Sequence, residues 1–126
     1  MKYCLLLWGM FMFLHVTAQE DTTELDSAIH SNTGLATYYH KRFEGRRTTS
    51  GARYRSKKFT AAHRTLPFGT IVTVTNLANG KTVDVEINDR GPYTRKYIID
   101  VSAGAAKELG FYKKGQSKVT ISYGHS

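Results

Sequence analysis

Acid–base chemistry near neutral pH needs a side chain whose protonation the fold can tune, and this chain offers few candidates. Residues 34–126 hold six acids, Glu44, Asp84, Glu86, Asp89, Asp100 and Glu108. Asp84 and Glu86 alternate with Val83, Val85 and Ile87, which puts them on the wet face of a strand. Glu44 belongs to a basic loop and Glu108 to the surface of a short helix. Asp89 is different. In Asn88-Asp89-Arg90-Gly91-Pro92 a strand runs into a Gly-Pro turn, a junction of rigid scaffold and open loop where sites are built. Two readings of Asp89 stand side by side, an acid–base carboxyl and an Asx turn residue paired with Arg90. Asp100 follows Ile98-Ile99 inside an apolar strand, and its favoured reading is a structural carboxylate that fixes a loop or a helix start.

Imidazole is the other candidate group. His63 precedes Arg64-Thr65-Leu66-Pro67-Phe68-Gly69, again at a strand-to-turn junction, where it either packs and hydrogen-bonds or orients a nearby carboxyl. The sequence has no H-x-x-x-H spacing, no His/Cys cluster, no G-x-S-x-G elbow and no phosphate-cradling glycine loop. No metal and no cofactor is therefore expected. Tyr38, Tyr39, Tyr54 and Tyr93 are placed to stack on flat sugar or base faces, or to fill the core and barrel ends.

The elements that must position these groups read mainly as strands. Leu35–Tyr39 is a short β-prone run, and Ile71–Leu77 joins Lys81–Asn88 through Ala78-Asn79-Gly80, a turn rich in residues that tolerate positive φ. Tyr97–Val101 and Lys118–Tyr123 are two further strands; between them Ser102 caps a helix over Ala103–Leu109 that Gly110 ends. Arg42–Lys58, rich in Gly, Ser, Thr and Arg, reads as a long loop. About six short strands with one or two short helices predict a mainly β, closed or nearly closed barrel.

Composition sets the frame. The chain has 126 residues, a formal charge of +8 and one cysteine, which supports a single domain and excludes an internal disulfide. Met1-Lys2, an apolar run from Leu5 to Leu14 too short to span a membrane, and Val16-Thr17-Ala18 read as a signal peptide over 1–18. Cys4 precedes that run, so no lipid anchor is expected, and the exported chain would be periplasmic or secreted. Residues 19–33 carry four acids and no Lys or Arg and read as a flexible acidic leader. Residues 34–126 then hold 17 Lys+Arg against 6 Asp+Glu, so the charge is concentrated on the domain. Export turns the expected anionic partner from nucleic acid to envelope polymers.

At these residues the chain closely resembles the rare lipoprotein A family, whose domain is a double-psi β-barrel related in fold to expansins and barwin. The resemblance runs through Gly34-Leu35-Ala36-Thr37-Tyr38-Tyr39, Arg47-Thr48-Thr49-Ser50-Gly51, Thr60-Ala61-Ala62-His63-Arg64-Thr65-Leu66-Pro67-Phe68-Gly69-Thr70, Val74-Thr75-Asn76-Leu77-Ala78-Asn79-Gly80, Asn88-Asp89-Arg90-Gly91-Pro92 and Ile99-Asp100-Val101-Ser102. It implies a six-stranded double-psi barrel over 34–126 and a lytic transglycosylase. Such an enzyme cuts peptidoglycan glycan strands between N-acetylmuramic acid and N-acetylglucosamine and leaves 1,6-anhydro ends. By the same resemblance Asp89 is the catalytic aspartate and His63 an active-site histidine; Tyr38, Thr60, Arg64, Arg90 and Tyr93 are read as candidate substrate contacts around them and Asp100 as a structural neighbour of the site. A single carboxyl can serve as acid and then as base, so Asp89 needs a raised pKa and Arg90 is expected to point away from it. The expected partner is the glycan strand, bound by a monomer, with no nucleic acid. One departure stands out: Ala52 occupies a position where relatives usually carry an acid. It raises a second reading, a non-catalytic, expansin-like wall-binding module.

Overall fold

The computed structural model describes residues 29–124. The expected signal peptide over 1–18 and residues 19–28 of the expected leader lie outside the described residues. Six strands close into a barrel: β1 (Ile29–Tyr38), β2 (Thr60–Ala62), β3 (Ile71–Asn76), β4 (Thr82–Asp89), β5 (Tyr97–Val101) and β6 (Ser117–Gly124), in the spatial order β1-β5-β2-β4-β3-β6. A 3-10 turn spans Lys41–Phe43, and the one α-helix among the described residues, α1, spans Ala103–Leu109. The mainly β barrel with one or two short helices is the observed fold. Among the described residues no helix is long and apolar enough to cross a membrane.

Alternation builds the core. Val72, Val74, Val83, Val85, Ile87, Ile99, Val101, Val119 and Ile121 are buried from four strands around the barrel, and α1 adds Ala105, Ala106 and Leu109. Ser102 caps α1 by accepting the Ala105 amide at 3.2 Å, and Gly110 ends it at φ 85°, a left-handed conformation a side chain resists. The β3–β4 turn closes the helix from below: Asn76 and Asn79 side-chain amides both donate to the Leu109 carbonyl, at 2.8 and 3.0 Å. The hairpin signal and the helix signal are thus one assembly.

Two boundaries differ from the sequence expectation. The leader was expected to stay flexible to residue 33, yet β1 begins at Ile29, because residues 29–36 pair antiparallel with Ser117–Gly124. Backbone pairing orders a polar stretch that has no apolar pattern of its own. The second difference is β2, whose three residues are too few to show a period; it is recognisable by its partners, parallel to β4 and antiparallel to β5.

Candidate active site

The site is a row of residues across four strands. Ala62 of β2 is opposite Asp89 of β4 on one side and Asp100 of β5 on the other, and Asp100 is opposite Thr37 of β1. Paired residues share a face of a sheet, and all four line one groove of about 570 Å³ on the outside of the barrel. The two aspartates are therefore two strand spacings apart, on the order of 10 Å between Cα atoms, with a methyl group between them.

Asp89 reaches this face through a bulge. Strict alternation from Val83, Val85 and Ile87 would turn residue 89 inward, but the β2–β4 register slips between Ala61, opposite Ile87, and Ala62, opposite Asp89. Asn88 is the extra residue, and it re-aims the aspartate to the outside.

Once there, Asp89 is held by donors. The Tyr39 hydroxyl donates to Oδ2 at 2.5 Å, and the Thr49 and Arg90 amides donate to Oδ1 at 2.8 and 2.9 Å. Partial burial pushes its pKa up, but the Tyr39 and amide hydrogen bonds outweigh burial and leave it below the ordinary value. This corrects the expectation of a raised pKa at Asp89: the carboxyl is kept ionised. Tyr39 is itself fixed, stacked on Tyr54 at 4.4 Å between ring centroids and edge-on to Phe43 at 5.9 Å. Tyr54 in turn accepts the Ala103 amide through its hydroxyl, which ties the pair to the start of α1.

Asp100 is the opposite case. Its Oδ1 is buried with no hydrogen-bond partner. Desolvation first, and the Asp89 charge second, push its pKa up to about 7. The sequence reading of Asp100 as a carboxylate fixing a loop or helix start is not what the structure shows, since Ser102 performs the capping and Asp100 faces the groove. Its position in an apolar run was the signal, for a buried acid without partners is a proton donor in waiting.

The remaining predicted residues separate. Arg90 turns its guanidinium away from Asp89, donating to the His63 and Leu66 carbonyls at 3.2 and 2.8 Å and lying over the Phe68 ring. It borders the groove, as does Tyr93, which is 87% exposed. His63 does not line the groove. Its Nδ1 accepts the Thr65 and Leu66 amides at 3.1 and 3.2 Å, which places the ring proton on Nε2, and burial together with Arg64 and Arg90 lowers its pKa. The ring is a neutral cap for the turn that follows it. Arg64 clamps the neighbouring loop by donating to the Pro92 and Tyr97 carbonyls at 2.8 and 2.9 Å. Tyr38 points away, its hydroxyl donating to the Tyr112 carbonyl at 2.7 Å and its ring stacked on Tyr112. Thr60 and Ala52 line a separate cavity of about 200 Å³. Substrate contact at Tyr38, Thr60 or Arg64 therefore lies outside this groove. The sequence reading did not assign Thr37, Phe43, Arg46, Arg47 or Thr49 to the site, although all five line it. Among the described residues no cluster of acids, histidines and cysteines suits a metal ion.

Comparison with known proteins bears on the family and the fold. The family model described as lytic transglycolase matches residues 31–121. An endolytic peptidoglycan transglycosylase of Haemophilus influenzae is 54% identical over 88 residues, 70% of this chain and 31% of that protein. Its counterpart in Neisseria meningitidis serogroup A is 47% identical over 106 residues, 84% of this chain and 44% of that protein. The chain thus spans less than half the length of the curated relatives it matches. Among solved structures a Streptomyces papain inhibitor aligns with a TM-score of 0.62 at 24% identity, covering 76% of this chain and 96% of that one. An expansin of Clavibacter michiganensis aligns equally well at 19% identity, over 75% of this chain and 50% of the expansin. At these identities the two structures speak for the barrel alone.

Proposed function

The chain belongs to the lytic transglycolase family, and from that premise we propose that it cleaves peptidoglycan glycan strands with Asp100 as general acid and Asp89 as the ionised partner. The observation that carries the proposal is the pair of carboxyls lining one groove, one engaged by three hydrogen-bond donors that keep it ionised, the other with a buried, donor-free oxygen and its pKa pushed up to about 7. Asp100 gives its proton to the glycosidic oxygen as the bond to the muramoyl C1 breaks. The muramoyl 6-hydroxyl oxygen then bonds to C1, and its proton passes to Asp89. Asp100 is the more basic carboxyl, so the proton returns there by equilibration and the site is reset. No water enters the bond-breaking, and the product carries a 1,6-anhydro ring. Each acid does one job, in place of the single carboxyl expected to do both.

The family relatives support the substrate, because both are named as endolytic peptidoglycan transglycosylases. Arg46, Arg47 and Arg90 around the groove suit an acidic glycan, and Tyr93 offers a sugar face. The segment 1–18, read as a signal peptide, supports export to the periplasm or beyond. Mass analysis of glycan strands incubated with the protein tests the reading. Wild type yields 1,6-anhydro ends and Asp100→Asn yields none; cleavage by Asp100→Asn at the wild-type rate would overturn the assignment. Co-sedimentation with the polymer and no product from wild type would favour the wall-binding module that Ala52 suggests.

A further inference from the structure

A second groove, of about 710 Å³, opens beside the first, and Tyr39 borders both. Three lysines converge on it from three separate elements: Lys41 from the 3-10 turn, Lys57 from the loop before β2, and Lys107 from α1. One acid, Glu44, lies among them, and its charge is already engaged. It accepts the Ser56 amide at 2.9 Å and lies 3.6 Å from the Arg55 guanidinium. The Ser56 hydrogen bond, above all, holds its pKa below the ordinary value. Lys107 rests over the Tyr112 ring at 4.8 Å, whereas the ammonium groups of Lys41 and Lys57 have no partner among the described residues.

Lysines scattered over a convex surface call for no ligand. Uncompensated ammonium groups gathered in a concavity do, because each raises the potential felt by the others and an anion there relieves all of them. We propose that this groove receives the carboxylate-bearing branch of a muramoyl residue further along the strand from the bond held at Asp89 and Asp100. The inference rests on the glycan reading above. Every muramoyl unit carries a lactyl group that ends either in its own carboxylate or in a peptide bearing carboxylates, so an acidic branch accompanies the strand in both forms. Tyr39 links the two functions, with its hydroxyl on Asp89 and its ring at the edge of the lysine groove.

The test is fluorescence anisotropy with labelled glycan strands, titrated against the full chain carrying Asp100→Asn so that strands stay uncut. Peptide-free strands, peptide-bearing strands, and strands whose carboxylates are converted to methyl amides are compared. Lys41→Gln/Lys57→Gln weakens binding of a carboxylate-bearing strand about fivefold at low salt, the size of two partly exposed ion pairs, and leaves the amidated strand unchanged. The form that shows the loss identifies the branch. Lys81→Gln/Lys118→Gln, which removes the same charge outside both grooves, changes binding less than about twofold. Equal losses from the two pairs, or a loss that persists with amidated strands, would overturn the lysine groove while leaving the glycan reading intact. Failure of every strand to bind would overturn both.

Discussion

Asp89 and Asp100 stand in the same row of the same sheet, one residue of β2 apart, yet the fold treats them in opposite ways. At the end of β4 a bulge, a tyrosine and two loop amides converge on Asp89, so the charged form is the solvated one even though water is partly excluded. β5 bulges as well, between Tyr97 and Ile99, but its bulge brings no donor, and one oxygen of Asp100 is buried with nothing to bond it. What separates them is the supply of N–H and O–H groups, which Tyr39 and the Thr49 and Arg90 amides provide at Asp89 alone. Donors keep one acid ionised, and burial without them raises the pKa of the other.

Beyond the loss of product expected of Asp100→Asn, removing the donor-held charge gives the largest effect. Asp89→Asn lowers turnover on glycan strands by about 10²- to 10⁴-fold with little change in KM, the range for loss of an acid–base group; undiminished turnover would dissolve the contrast. The next test is thermodynamic. A carboxyl raised to about 7 in the folded state holds a proton that the unfolded chain has released above its ordinary pKa of 3.8. Asp100 therefore costs stability as pH rises from about 4 to about 7, on the order of 3 kcal/mol in all. Urea unfolding across that window should show wild type losing stability relative to Asp100→Asn, and parallel curves would mean that Asp100 is not dry. Asp89, with its lowered pKa, has the opposite sign, and its contribution is lost as pH falls through the acid range.

Smaller effects sharpen the comparison. Tyr39→Phe removes the donor to Oδ2, so the acid limb of the kcat profile moves up, while kcat at pH 7, well above that limb, stays within about threefold of wild type. A fall in rate with an unmoved limb would make Tyr39 a packing residue alone. Last comes His63→Ala, which strands two turn amides and costs about 1–2 kcal/mol of stability, partly recovered in His63→Asn, with kcat within about threefold of wild type. A hundredfold fall in kcat with folding intact would place the imidazole among the reacting groups.

Much of this was legible in advance, and the exceptions have physical causes. The β3–β4 hairpin, β5, α1 and its Ser102 and Gly110 caps follow from periodicity and turn chemistry, and they appear within a residue of their expected ends. β2 was silent because three residues carry no period, and the start of β1 because its order comes from a partner more than eighty residues away. The position of Asp89 at a strand-to-turn junction was readable, but its lowered pKa was not, since Tyr39 and Thr49 are brought to it by the fold from forty or fifty residues upstream. Asp100 was readable as an anomaly, an acid in an apolar strand. Its meaning required knowing that nothing donates to it. Tyr38 and Tyr39 could not be told apart until the strand had a direction, and then alternation sent one to the core and the other to the groove.

The antiparallel pairing of β1 with β6 sets Ile29 opposite Gly124, so the described chain enters and leaves the barrel at one place. That makes the barrel a plug-in unit. It can be spliced into a longer polypeptide, or hung from one, through a single attachment corner, and the strands that carry Asp89 and Asp100 lie inside the loop so formed. Relatives more than twice the length covered by this chain fit such portability.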